Sequence, residues 1–135
     1  MPTIDRHHGA LKRALVKAGW QIDGEQIEIV IGTRHLWLDI RAVKLEERLV
    51  ILIEVKGFEN MPSPVAYLET AAGQYLLYRS MLDYLHIDTP LYLAVPEAAY
   101  NGFLSETLAQ ELLKRLDAKL IVFDPEREEV TQWID

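Results

Sequence analysis

The run Leu49–Lys56, LVILIEVK, decides the fold. Leu49, Val50, Ile51, Leu52 and Ile53 are apolar without alternation, the pattern of a strand covered on both faces. Glu54 and Lys56 come at its end. Side chains alternate along a strand, so these two share one face while Ile53 and Val55 share the other. Two opposite charges therefore project from the rim of a buried strand. Taken alone, the short ExK pattern also describes an ion pair where a strand emerges into solvent.

Upstream, His35–Ala42 (HLWLDIRA) reads as a neighbouring strand, and the charged residues Lys44, Glu46, Glu47 and Arg48 suit a hairpin connection in water. Gln26–Ile31 alternates and reads as a half-buried strand, with Gly32-Thr33 as a turn. Asp5–Ala18 carries Ala10, Leu11, Ala14, Leu15 and Ala18 at helical spacing, with Asp5 as its N-cap and Gly19 as its stop. Downstream, Gly57–Pro64 contains Gly, Asn and two prolines and is a loop. Val65–His86 reads as one long helix. The strand LYLAV lies between Pro90 and Pro96, and Ser105–Leu116 is an amphipathic helix with a capping element in Ser105 and Glu106. Lys119–Phe123 forms a strand closed by Asp124-Pro125, and Val130–Ile134 a last short one. Three strands in a meander, then a helical crossover into further strands, predict a mixed central sheet flanked by helices, α/β in class, as one domain over residues 1–135.

Half of the residues are hydrophobic and about a quarter charged, an ordinary globular composition. The absence of cysteine excludes disulfides and thiolate metal sites. No stretch has the apolar length of a membrane span, and the first residues lack a signal-peptide core, so a soluble, cytoplasmic protein is expected. Lys plus Arg number 14 and Asp plus Glu 21, a net charge of −7. That balance argues against a broad, non-specific grip on nucleic acid while leaving room for a local basic cleft.

Asp39 gives the ExK pair chemical meaning. If its strand pairs antiparallel with Leu49–Lys56, Asp39 faces Glu54 across the ladder at roughly 5 Å. Two carboxylates that close repel unless a positive charge lies between them. A hard cation such as Mg²⁺ or Mn²⁺, held by Asp39 and Glu54 and by waters, would supply it. Lys56 would then orient or deprotonate the attacking water, or stabilise charge developing on a phosphate. The alternative is a structural carboxylate pair bridged by lysine. On the long helix, Gln74 and Tyr78 lie one turn apart on one face, followed by Arg79, and can contact a nucleic-acid backbone or base; a helix flank packed at the core margin is the competing reading. His7 and His8 open the first helix; adjacent residues do not share a helix face, so at most one approaches the same cleft, and a solvated helix start is the competing reading for either. Glu28 is a candidate extra carboxylate; a polar outer face of its strand is the competing reading. Zinc-ligand spacing, a P-loop, a dinucleotide fingerprint and a nucleophile elbow are absent.

With these residues assembled, the chain resembles the XisH family, the fdxN element excision controlling factors of cyanobacteria. The matching stretches are DRHHGALKRALVKAGW, HLWLDIRAVK, LIEVKGF, AAGQYLLYR, LYLAVP, LIVFDPE and QWI, in order along nearly the whole chain. The resemblance implies a restriction-endonuclease-like PD-(D/E)XK core of order αβββαβ, followed by a helix and strands. It implies Asp39, Glu54 and Lys56 as the catalytic set, Gln74 in the next helix, and His8 and Lys12 at recurring positions of the first. Arg41 and Val43 depart from the Gly and Glu usual in the family after this aspartate. The implied role is control of excision of a DNA element by a separate recombinase. DNA is the expected partner, with an XisI-like protein and a second copy of the chain as further candidates. Two functions follow: a Mg²⁺-dependent DNA endonuclease, or a nuclease-fold adaptor acting through an XisI-like partner.

Overall fold

The computed structural model describes residues 7–135. Its elements are helix α1 (His8–Lys17), strands β1 (Gln21–Ile31), β2 (Arg34–Lys44) and β3 (Leu49–Val55), helix α2 (Pro64–Tyr84), strand β4 (Leu91–Pro96), helices α3 (Glu97–Asn101) and α4 (Thr107–Leu116), and strands β5 (Lys119–Asp124) and β6 (Glu129–Ile134). The six strands form one mixed sheet in sequence order. β1, β2 and β3 are antiparallel neighbours, β4 runs parallel to β3 and β5 to β4, and β6 returns antiparallel. The expected α/β class with a mixed sheet and flanking helices is what the chain adopts.

The continuous apolar runs are explained by two cores, one on each face. Leu11 and Leu15 of α1 pack with Trp20, Ile40, Ile53, Val55, Ala94, Ile121 and Phe123. Across the sheet, Leu68, Ala71, Tyr75 and Leu82 of α2, with Ala109 and Leu113 of α4, cover Leu38, Leu52, Leu93, Val95, Leu120 and Val122. β3, β4 and β5 thus bury alternate residues on opposite sides, which is why periodicity vanishes from their sequences. Tyr75 ties α2 to the sheet: its hydroxyl donates to the Leu91 carbonyl at 2.9 Å and accepts the Lys119 N–H at 3.1 Å. Tyr75→Phe strands both backbone groups, and a loss of about 1–3 kcal/mol is expected in urea unfolding.

Element boundaries shift for identifiable reasons. The Asp5 cap lies outside the described residues; α1 ends against Gly19, whose φ of 93° only glycine takes freely. β1 begins at Gln21, five residues before the expected Gln26; a bulge between Ile22 and Gly24 interrupts its regular pairing with β2. α2 starts at Pro64, capped by Ser63 Oγ, which accepts the Ala66 N–H at 3.2 Å. Ser105 makes no cap; its hydroxyl donates to the Gly102 carbonyl at 2.6 Å, and α4 starts at Thr107. The short helix α3 was not foreseen, because five residues carry too little periodicity to detect. No helix among the described residues is long and apolar enough to cross a membrane.

Candidate functional site

The site is built where β2 and β3 part. Their ladder runs from Lys44↔Leu49 to Ile40↔Ile53, and the next step in that register would pair Asp39 with Glu54. There the backbone ladder ends and a side chain takes over: Asp39 Oδ2 accepts the Val55 N–H at 2.8 Å. Asp39 Oδ1 accepts the side-chain amide of Gln26 at 3.3 Å. Both strands of the β1–β2 hairpin change face at this point. Leu38 lies in the core under α2, yet Ile40 lies in the core under α1. A regular strand would place the two on one side. On β1, Ile27 joins the α2 side while Glu25 bonds to α1, and Gln26 between them has a φ of 48°. A left-handed backbone in a strand is rare for a non-glycine residue, and here it swings the Gln26 amide onto Asp39.

Asp39 and Glu54 are 8% and 5% exposed, unusual burial for carboxylates. Lys56 Nζ stands 3.9 Å from Glu54 Oε2, and Glu54 Oε1 has no hydrogen-bond partner. Burial, and then repulsion from Asp39, push the Glu54 carboxyl up to about 8, while Lys56 pulls it down only in part. A carboxyl kept protonated in this way becomes an anionic ligand once a cation neutralises the pair. Tyr78 faces the same pair from α2: burial raises its hydroxyl pKa, and the charges of Glu54 and Asp39 raise it further. Gln26 Oε1 and Gln74 Oε1 are also buried without partners. The donor set is therefore all oxygen, suited to a hard divalent ion and not to a soft one. Among the described residues no group of three or more His, Cys, Asp or Glu converges. A cation on Asp39 and Glu54 would complete its shell with water, amide or backbone oxygens and a phosphate.

The other residues singled out in the sequence are engaged elsewhere. His8 Nε2 and Lys12 Nζ each meet the Glu25 carboxylate at 3.0 Å, and their bonds hold that carboxyl below its ordinary pKa. Glu25 precedes Gln26, so this trio braces the bend on the α1 side. His7 lies 2.5 Å from Glu59, in the loop after β3. Glu28 pairs with His35 at 2.9 Å. Arg79 donates to the Leu116 and Asp117 carbonyls at the end of α4 and lies over Tyr75, 5.2 Å from the ring centre. Arg41 is paired with Asp23. Gln26 and Glu25 were missed as site residues, because neither the bulge nor the positive φ leaves a mark in QIDGEQ.

A family profile described as XisH protein matches residues 1–131. The chain is similar to the crystal structure of an XisH family protein from Nostoc punctiforme PCC 73102, with 35% identity over 97% of this chain and 100% of that one and a TM-score of 0.89. It is also similar to a fdxN element excision controlling factor protein from Anabaena variabilis, with 36% identity over 96% of this chain and 98% of that one and a TM-score of 0.88. Comparison with curated proteins finds no match. With all but its last four residues inside the family profile, the chain belongs to the XisH family.

Proposed function

We propose that this protein is a factor controlling excision of a DNA element, acting through metal-dependent hydrolysis of a phosphodiester at a restriction-endonuclease-like PD-(D/E)XK site. Asp39 and Glu54 would hold Mg²⁺ or Mn²⁺, and Lys56 would stand beside the attacking water. The observation that carries this reading is the buried carboxylate pair itself. Glu54 keeps an unpartnered oxygen beside Asp39, and the lysine at 3.9 Å only partly offsets the burial and repulsion that hold its carboxyl protonated. A purely structural pair would be expected to satisfy its oxygens within the protein. The bound ion supplies Lewis-acid polarisation of the phosphate and a more acidic water. The chain supplies position: Val55 N–H and the Gln26 amide fix Asp39, while Lys56 donates toward water or a phosphate oxygen. The excision role rests on family membership and on the role named for the Anabaena variabilis protein. Supercoiled plasmid and branched DNA should be nicked with Mg²⁺ or Mn²⁺ and left intact with EDTA. No cutting of any DNA under either metal contradicts the hydrolytic part.

A second reading, a nuclease-fold adaptor for an XisI-like protein, is favoured by a different surface. Leu76 and Leu77 of α2 are each 46% exposed and Tyr84 is 69% exposed, on a helix flank of an acidic protein with net charge −7. If this flank is the adaptor surface, Leu76→Asp with Leu77→Asp will abolish co-purification with an XisI-like protein, and Glu54→Gln will not. Loss of the complex with Glu54→Gln alone would overturn that assignment.

A further inference from the structure

We propose that the cavity beside Lys56 is a nucleobase pocket, which receives one unpaired base of the nucleic-acid strand whose phosphate lies at Asp39, Glu54 and Lys56; it rests on the nuclease reading of that site. The cavity has a volume of about 370 Å³ and lies between the loop after β3 and the first turns of α2. That lies within the roughly 300–1,000 Å³ range of small-molecule sites and gives room for a single heterocycle.

Its walls have the chemistry of a nucleotide divided in two. Lys56, the one charged group lining it, reaches Glu54 at 3.9 Å and so joins the cavity to the carboxylate pair. The remaining lining is uncharged, with Met61 and Tyr67 as its broad apolar surfaces and Asn60, Ser63 and Thr70 as its polar groups. A cation at one end and neutral walls beyond it match an anionic phosphate carrying a neutral base. Tyr67 is backed by Phe58, with ring centres 4.7 Å apart, which gives a stacking surface a firm support. The Asn60 amide offers both a donor and an acceptor, the pattern that pairs with a base edge. The Ser63 hydroxyl oxygen accepts the Ala66 N–H and keeps its own proton to donate; the Thr70 hydroxyl donates to the Ala66 carbonyl and keeps its lone pairs. Phe58 and Asn60 have φ of 51° and 55°, a left-handed backbone that costs a bulky side chain energy. That strain shapes the loop into the wall of the cavity.

The test uses a short single-stranded oligonucleotide with one 2-aminopurine, and the same oligonucleotide abasic at that position, titrated into the full chain with Ca²⁺ in place of Mg²⁺. Wild type should bind the base-bearing strand about tenfold more tightly and change its fluorescence. Ala66→Phe, which fills the cavity from an exposed position of α2, should lose that preference, and Ala66→Ser should keep it. Equal affinity of wild type for the two strands, or an unchanged preference in Ala66→Phe, overturns the pocket. If wild type nicks plasmid but shows no preference, the pocket fails alone. If the preference holds in a protein that cuts nothing, the pocket stands and the hydrolytic reading fails.

Discussion

Lys56→Ala is expected to lower Mg²⁺-dependent nicking of plasmid DNA by about 10²–10³-fold, the usual effect of removing one preorganised donor at a reacting centre. The lysine is one-fifth exposed and at a strand end, so its removal leaves the two cores intact. Its ammonium is the one cation that acts on Glu54. The loss should therefore fall on kcat, with DNA affinity changed far less, because one phosphate contact among many carries little of the binding. Thermal unfolding of the variant should match wild type to within a few degrees. Equal cleavage by Lys56→Ala and wild type would remove lysine from the reaction.

The second large effect is on stability, through Glu54. In the folded chain this carboxyl titrates near 8, against 4.5 for its unperturbed state. Between those values the folded state holds a proton that the unfolded state has released. Stability therefore falls as pH rises from about 4.5 to about 8 and levels off above. Glu54→Gln removes the titrating group and keeps the shape. Its stability should exceed that of wild type at pH 9 by an amount on the order of 3 kcal/mol and approach wild type at pH 5. Mg²⁺ should close most of that gap at high pH. Binding to wild type at 100 times Kd adds about 2.7 kcal/mol, and the variant, with one carboxylate fewer, should gain much less. Urea unfolding at the two pH values, with and without Mg²⁺, reads both effects. A wild-type stability that rises between pH 5 and 9 would contradict the burial of an ionisable pair.

What the sequence made legible, and what it hid, follows from the range of the interactions involved. Glu54, Lys56 and Asp39 stand out because a charge at the end of an apolar strand is a local feature, readable from alternation alone. The antiparallel pairing of their strands follows from the hairpin between them, and the register that brings Asp39 to Glu54 is the continuation of that hairpin. Gln26 is different. Its contact with Asp39 depends on a positive φ and on a bulge further back in β1, and neither has a signature in residue type. Arg79 follows Tyr78 in sequence, and its carbonyl partners, Leu116 and Asp117 at the end of α4, lie 37 and 38 residues later, beyond the reach of a local pattern. His8 and Lys12 share a helix face as their spacing requires, yet Glu25, the carboxylate that claims both, is presented by the same unforeseen bend. The central strands were clear because burial on both faces leaves a continuous apolar run.

The claim on which the rest depends is that Asp39 and Glu54 bind one divalent cation between them. Crystals soaked in Mn²⁺ and measured for anomalous scattering test it directly. A single strong peak is expected within about 2.0–2.3 Å of an oxygen from each carboxylate, lost in Glu54→Gln crystals. A fully soaked crystal with no peak between Asp39 and Glu54 would contradict it.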